Sequence, residues 1–173
     1  LWKVEAQEPV IGAVTIDNGL AYVGASDHTF RAIDIHTGKV AWSYDQVKGY
    51  IETKPLIADN KVIFGAWDNT LYALDKTNGK ECWKWTGGLT RMHFSPAAVW
   101  PVAAEGKVFI ADPQRALTAI DTNNGETVWR TFESQVRETV GLSEDAERIY
   151  SKTMNDSIVC YATEGNAPKK LWA

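Results

Sequence analysis

The stretch "LYALDKTNGKECWKW", Leu71 to Trp85, contains two short apolar runs joined by a polar turn. Within it, Gly79 follows Asp75 by four residues and Trp83 follows Gly79 by four residues. An acid beside an aromatic side chain is one way to build a binding site. A repeated structural unit is the other interpretation, and it requires the same offsets to recur elsewhere in the chain.

The same offsets recur in two further copies. The upstream copy reads "FRAIDIHTGKVAW" and the downstream copy reads "LTAIDTNNGETVW". The three motifs are Asp34, Gly38 and Trp42; Asp75, Gly79 and Trp83; and Asp121, Gly125 and Trp129. A degraded fourth copy, "IVCYATEGNAPKKLW", has Ala162 in place of the Asp and three extra residues between Gly165 and Trp172. We expect the packing of that copy to be weaker.

The repeats define a period. Counting from Trp2, the motif tryptophans follow one another at spacings of 40, 41, 46 and 43 residues. A self-similar period of roughly 40–45 residues is typical of propeller blades and other repeat arrays. Since a catalytic residue is not needed once in every repeat, the repetition favours structure over chemistry. We expect Asp75 to cap a turn, Gly79 to supply left-handed backbone, and Trp83 to anchor the blade.

One repeat reads as four short strands. Residues 53–59, 61–66, 70–75 and 80–85 are rich in β-branched and aromatic side chains and are separated by tight polar turns. No stretch shows a sustained apolar period of 3.6 residues, so helices should be nearly absent. The sequence therefore predicts an all-β chain, a β-propeller built from four-stranded antiparallel blades.

Composition and charge exclude several classes of protein. The chain has 173 residues and a net charge of -4, with charges of mixed sign, which argues against a nucleic-acid or anionic-membrane surface. No apolar run approaches the ~20 residues that a membrane-spanning helix needs. Cys82 and Cys160 lie in different repeats, so we expect two free thiols. The three histidines, His28, His36 and His93, show no metal-ligand spacing, and no phosphate loop, nucleophile elbow or zinc motif occurs.

Two segments carry a resemblance to a known family. "YVGASDHTFRAIDIHTGKVAW", residues 22–42, and "IFGAWDNTLYALDKTNGKECW", residues 63–83, resemble the repeat of the pyrroloquinoline quinone (PQQ) enzyme-like, or quinoprotein alcohol dehydrogenase-like, β-propellers. The recurrent core of that repeat, Ala-x-Asp-x-x-Thr-Gly-x-x-x-Trp, is often called a tryptophan-docking motif. The resemblance covers essentially the whole chain and implies rings of seven or eight blades.

A ring of that size would be incomplete in this chain. We expect about four blades, roughly residues 8–45, 49–86, 94–132 and 137–173, with residues 1–5 as the tail of a preceding blade. All of residues 1–173 would then form a single partial propeller, an open arc cut from a larger ring. Because an open arc leaves two apolar blade faces, we expect the rest of the propeller or a second chain to cover them.

The resemblance leaves the function open between catalysis and binding. Some family members are PQQ-dependent alcohol or sugar dehydrogenases, others are non-catalytic, and others are accessory propellers fused to kinase or phosphoesterase domains. The dehydrogenases carry an adjacent Cys-Cys pair and a calcium-binding set of oxygen ligands. This chain has no Cys-Cys pair and no evident carboxylate cluster, so we expect a non-catalytic binding or scaffold domain of a larger bacterial protein. PQQ with calcium belongs to the alternative of a dehydrogenase fragment, and family resemblance suggests a periplasmic or extracytoplasmic location.

Ligands of propellers usually meet the loops at one rim of the central channel. In this repeat, those loops are the turns between second and third strands and the links between blades. The link in residues 86–100 is about five residues longer than its neighbours and contains Arg91 and His93. With Trp67 and Arg115, these residues are the candidates for binding a protein or small molecule. The alternatives are a tolerated loop insertion and an aromatic side chain that only packs on a neighbour.

Overall fold

A computed structural model describes residues 1–87 and 99–173, with the backbone alone at position 138. Sixteen strands and no helix occur in these ranges. Blade 1 contains β1 (Thr15–Asp17), β2 (Leu20–Gly24), β3 (Phe30–Asp34) and β4 (Val40–Tyr44). Blade 2 contains β5 (Leu56–Ala58), β6 (Lys61–Gly65), β7 (Thr70–Asp75) and β8 (Glu81–Thr86).

The second half of the chain repeats this order. Blade 3 contains β9 (Val102–Ala104), β10 (Lys107–Ala111), β11 (Leu117–Asp121) and β12 (Thr127–Thr131). Blade 4 contains β13 (Val136–Leu142), β14 (Arg148–Thr153), β15 (Ile158–Ala162) and β16 (Lys170–Trp172). Each blade is one antiparallel sheet whose strands pair in chain order. The predicted all-β architecture of four-stranded antiparallel blades is therefore confirmed.

The blades follow one another as an arc. Their first strands make contact in succession, β1 with β5, β5 with β9, and β9 with β13. Within the described ranges, no contact of comparable extent joins β13 back to β1. Blade 1 and blade 4 are thus the two ends of an arc.

Side chains in register form a row across one face of every blade. Each row runs from the second to the fourth strand and contains a large side chain, a small residue and a Trp. The rows are Tyr22, Ala32 and Trp42; Ile63, Ala73 and Trp83; Phe109, Ala119 and Trp129; and Tyr150, Cys160 and Trp172. We call the face that carries the row the forward face. The forward faces of blades 1, 2 and 3 pack into continuous apolar cores with the blade that follows.

The tryptophans of the forward faces of blades 1 and 2 also reach a turn of the next blade. Trp42 Nε1 donates a hydrogen bond to the Lys76 carbonyl at 3.1 Å, and Trp83 Nε1 donates to the Thr122 carbonyl at 2.9 Å. A Cβ atom added to Gly79 would lie 2.5 Å from the Trp42 ring. Gly79 also has a φ of 73°, so both its backbone and the indole above it require a residue without a side chain.

The turn that receives the indole is capped by its own aspartate. Asp75 Oδ1 accepts hydrogen bonds from the backbone N–H groups of Thr77 at 2.8 Å and Asn78 at 3.3 Å, and from the Thr77 hydroxyl. These bonds, led by that of the Thr77 hydroxyl, lower the pKa of Asp75 below its usual value. These turns, between the third and fourth strands of each blade, all lie along one edge of the propeller. We call this edge the docking end. The opposite end holds the turns between second and third strands and the links between blades, and we call it the rim.

Removing a docked indole should be costly. We expect Trp83→Ala to lower the free energy of unfolding by about 3–5 kcal/mol, because a large buried side chain and its hydrogen bond to the Thr122 carbonyl are both lost. Urea unfolding followed by circular dichroism measures the change. Trp100→Ala is the matched control, since Trp100 is 49% exposed. Equal losses in the two variants would contradict the structural role of Trp83.

The aspartate cap should be visible in its titration. We expect Thr77→Ala to raise the pKa of Asp75 toward the ordinary value of about 3.9, because the hydroxyl bond favours the carboxylate. Since the folded pKa of Asp75 is lowered, its stabilising effect is present above the unfolded pKa and is lost as the pH falls through the folded pKa. A carboxyl-detected NMR titration measures the shift. An unchanged pKa would show that the hydroxyl does not act on the carboxylate.

Candidate binding rim

Four equivalent turns shape the rim, and each has one residue in left-handed backbone. These residues are His28, Asn69, Arg115 and Asp156, with φ values of 63°, 64°, 68° and 58°. Asn, Asp and His tolerate this conformation better than most side chains, whereas Arg is an uncommon choice. The turns therefore share a backbone but present four different side chains to the rim.

Two carboxylates at the rim, Asp27 and Asp68, are engaged by neighbouring groups. Asp27 forms an ion pair with Arg31 at 2.6 Å, and Asp68 accepts hydrogen bonds from the Tyr72 hydroxyl and the Lys48 backbone N–H. Burial raises the pKa of Asp27, but the bonds and charge of Arg31 outweigh burial and leave that pKa below its usual value. Burial, followed by the bond to Asp68, raises the pKa of Tyr72.

The third rim carboxylate, Asp112, is fully buried. It accepts hydrogen bonds from the Thr118 hydroxyl at 2.9 Å and the Gln114 backbone N–H at 2.8 Å, and it forms an ion pair with Arg130. Like Asp27 and Asp68, it holds together the turn in which it lies. These three acids therefore stabilise the rim turns from inside rather than presenting free carboxylates to a ligand.

Exposed aromatic side chains are concentrated at the rim. Tyr50, Trp67, Trp100 and Phe132 are 51%, 38%, 49% and 52% exposed, and all four lie in links or in a turn between second and third strands. The His28 ring meets the Tyr50 ring edge-on, with centroids 5.3 Å apart. We call these five residues the aromatic rim.

Backbone bonds and cations hold parts of the aromatic rim in place. The Trp67 backbone N–H donates to the Tyr50 carbonyl at 3.0 Å, which ties the turn of blade 2 to the link before it. Lys54 lies 5.6 Å from the Trp100 ring centroid, and the Arg130 guanidinium lies 4.9 Å from that of Phe132. Several of the exposed rings are therefore held by contacts with neighbouring residues.

The predicted rim residues are not assembled into one cluster. Trp67 lies beside Tyr50 at the seam between blades 1 and 2. Arg115 is half-buried in the turn of blade 3, and its guanidinium contacts Met154 in the turn of blade 4. Arg91 and His93 lie outside the described residues, so their prediction stays untested.

Sequence reasoning gave no special weight to several members of the aromatic rim. Trp100 and Phe132 lie just outside strands, Trp100 before β9 and Phe132 directly after β12. The sequence did contain a signal for these two residues. Each aromatic residue breaks the alternation of apolar and polar residues at a strand end, and the blade pattern then places it in a loop. His28 and Tyr50 lie in loops that the repeat assigns to the rim, but the sequence did not indicate their contact, which joins residues 22 positions apart.

A calcium–quinone site would need several oxygen ligands placed close together. Within residues 1–87 and 99–173, no group of three or more His, Cys, Asp or Glu side chains is placed to hold a metal ion. Asp27, Asp68 and Asp112 are already bonded as described above. Cys82 is exposed in blade 2, Cys160 is buried in blade 4, and both are free thiols. The described residues also contain no helix that is long and apolar enough to cross a bilayer.

Sixteen strands in four blades, with Trp42 and Trp83 each seated on a glycine turn of the next blade, define a β-propeller of PQQ-like repeats. The family model described as outer membrane protein assembly factor BamB matches residues 1–84 and 46–167. The chain belongs to this family.

Curated relatives are quinone-dependent enzymes that are much longer than this chain. The quinohemoprotein alcohol dehydrogenase of Comamonas testosteroni is 34% identical over 92 residues, which are 47% of this chain and 13% of the enzyme. The quinoprotein ethanol dehydrogenase of Pseudomonas aeruginosa is 34% identical over 77 residues, which are 40% of this chain and 12% of the enzyme. The matched segments thus span about one eighth of the length of these relatives.

Solved structures show the same fold. BamB from Moraxella catarrhalis has a TM-score of 0.77 at 20% identity, over 93% of this chain and 52% of that one. The quinohemoprotein alcohol dehydrogenase of Comamonas testosteroni has a TM-score of 0.71 at 21% identity, over 95% of this chain and 34% of the enzyme. The computationally designed protein Ika4 has a TM-score of 0.74 at 17% identity, over 92% of this chain and 94% of that one.

A rim residue should matter less to folding than a docked tryptophan. We expect Trp67→Ala to lower the free energy of unfolding by about 1–2 kcal/mol, because part of the ring is already in water and its loss leaves a smaller cavity. Urea unfolding beside Trp83→Ala provides the comparison. A loss for Trp67→Ala that equals the loss for Trp83→Ala would mean that Trp67 is a core residue, and it would remove Trp67 from the candidate site.

Proposed function

We propose that this chain is part of a non-catalytic propeller that binds a protein ligand through the aromatic rim, as a binding or scaffold domain of a larger bacterial protein. The observation that carries the proposal is the concentration of exposed aromatic side chains at the rim. Three rim carboxylates, Asp27, Asp68 and Asp112, are already bonded to neighbouring groups. A rim of this kind offers surface for recognition.

The composition of the rim supports a protein ligand. Trp, Tyr and Arg are the residues that most often dominate the energetics of protein interfaces, and the rim presents Trp67, Trp100, Tyr50 and Arg115. Amphipathic rings such as these bury apolar area while keeping a polar edge for hydrogen bonds. They are also distributed over several blades, which suits an extended polypeptide better than a compact small molecule. The family description, an assembly factor for outer membrane proteins, points in the same direction.

A displayed library of random peptides can test the proposal. Peptides selected on the chain should lose affinity by about ten-fold or more in Trp67→Ala and Tyr50→Ala, since central aromatic residues of an interface contribute about 2 kcal/mol or more. Ile16→Ser is the control variant, because Ile16 is 64% exposed in β1, away from the rim turns. Titration calorimetry measures each affinity.

Two outcomes would contradict the proposed function. One is that no selected peptide binds the chain. The other is that the selected peptides bind both rim variants as tightly as they bind the wild type. The alternative of a dehydrogenase fragment makes a different prediction. It requires that added PQQ and Ca²⁺ give a bound-quinone absorbance and dye-linked oxidation of an alcohol or sugar. An accessory role beside a kinase or phosphoesterase domain would be compatible with peptide binding and would show in the neighbouring coding sequence.

The forward face of blade 4 supports a second contact. Its row of Tyr150, Cys160 and Trp172 repeats the rows by which the other blades pack on their successors. Trp172 and Ile158 are 50% and 56% exposed on the described chain. We propose that a further blade, from the rest of the propeller or from a second chain, covers this face. Sedimentation analysis should show association that Trp172→Ala weakens, and a compact stable monomer without a partner would contradict this contact.

A further inference from the structure

The seams between blades 1 and 2 and between blades 2 and 3, and the contact of the N-terminal segment with blade 1, are closed by the same lock at the docking end. In each, an indole N–H donates a hydrogen bond to the backbone carbonyl of the residue directly after the motif Asp. Trp2 donates to Ile35, Trp42 to Lys76, and Trp83 to Thr122, at 2.8, 3.1 and 2.9 Å. In each, the ring also covers the motif glycine so closely that a Cβ atom there would lie 2.5–2.8 Å from it. We call this combination the indole lock.

The seam between blades 3 and 4 has no indole lock. Trp129 is buried at 6% exposure, yet its Nε1 is without a hydrogen-bond partner in the structure. Its counterpart glycine, Gly165, has nothing within 4 Å of an added Cβ atom, although its φ of 81° is like that of the other motif glycines. The Trp129 ring instead stacks near the Tyr161 ring, with centroids 6.5 Å apart.

The sequence of the receiving turn explains the missing lock. Ala162 occupies the position of the capping aspartate, so no carboxylate gathers the backbone N–H groups of this turn. The Ala162 N–H still pairs with the Lys169 carbonyl at 2.9 Å, but the chain between them is longer than in the other blades. Beside it lies an open cleft of about 350 Å³, lined on the two sides by Glu105 of blade 3 and Thr163 of blade 4, among other residues.

We propose that the seam between blades 3 and 4 is a joint that opens at the docking end, so that blade 4 detaches from blade 3 while the locked seams stay closed. A buried donor without an acceptor gains hydration when the seam opens, whereas opening a locked seam breaks a bond. Local opening of this kind is a sub-global unfolding event of the blade, and it would expose the Trp129 indole.

Hydrogen exchange measured by mass spectrometry provides the first test. The comparison uses the Trp2→Ala variant, in which each end blade is held through one seam only. Amides of β14 and β15 in blade 4 should exchange about ten-fold or more faster than amides of β2 and β3 in blade 1, since a net hydrogen bond is worth roughly that factor. Equal exchange in the two end blades would overturn the proposal.

A loop exchange provides the second test. Replacing residues 162–169 by the sequence of residues 75–80 gives blade 4 the aspartate cap and the short turn of blade 2. Exchange in β14 and β15 should then slow by about ten-fold, because Trp129 gains its acceptor and its glycine. Unchanged exchange in a folded variant would overturn the proposal.

A pair of point variants keeps the proposal testable if the exchanged loop prevents folding. Trp83→Phe removes a bonded N–H, whereas Trp129→Phe removes an unpaired one. Trp83→Phe should speed exchange across its seam by about ten-fold, and Trp129→Phe should change exchange across its own seam by less than about three-fold. Equal effects of the two substitutions would show that Trp129 is bonded as Trp83 is, and the joint would be rejected.

Discussion

The architecture depends on one contact, an indole that lies on a glycine turn of the next blade and donates its N–H to a backbone carbonyl there. Asp75 and Gly79 belong to the turn that receives Trp42, while Trp83 leaves the same blade to dock beside Thr122. The motif that is contiguous in sequence is therefore divided between two seams. This division explains why the spacing of the motif is fixed. The Asp–Gly interval sets the geometry of the turn, and the Gly–Trp interval sets the position on the fourth strand from which the indole reaches the next blade.

Much of this fold is predictable because it depends on local patterns. Alternation and turn residues locate the strands of each blade, and the repeat period shows that the blades are equivalent. The contacts between blades are less accessible, since Trp42 and Gly79 are 37 positions apart and nothing in either neighbourhood specifies the other. The same limit applies to the rim. Trp67 was predictable as an aromatic residue in a turn, but its neighbour Tyr50 becomes evident only when the link has been folded against that turn.

Acids at the docking end and acids at the rim have a similar structural role. The two regions differ in the side chains that they expose. Asp75 at the docking end and Asp112 at the rim both accept backbone N–H bonds and stabilise turns. An acid at a recurrent position is therefore a poor indicator of chemistry in this repeat. The positions that differ between blades are more informative, because a shared backbone does not dictate their side chains. His28 and Arg115 occupy the same left-handed position in their turns and offer different groups to a ligand.

The rim and the docking end also differ in how firmly they hold blade 4. At the rim, the Val136 N–H donates to the Arg115 carbonyl at 2.9 Å and the Met154 N–H donates to the Gln135 carbonyl at 3.0 Å, so the turns of blades 3 and 4 are tied through the link between them. The docking end of the same seam lacks the indole lock. Opening would therefore pivot about the rim. A protein bound across the aromatic rim would keep its binding surface intact while the far end of blade 4 moves. Because the rim bonds are preserved in both states, such a ligand would have little differential affinity for the open and closed seams, and it would shift their equilibrium only slightly.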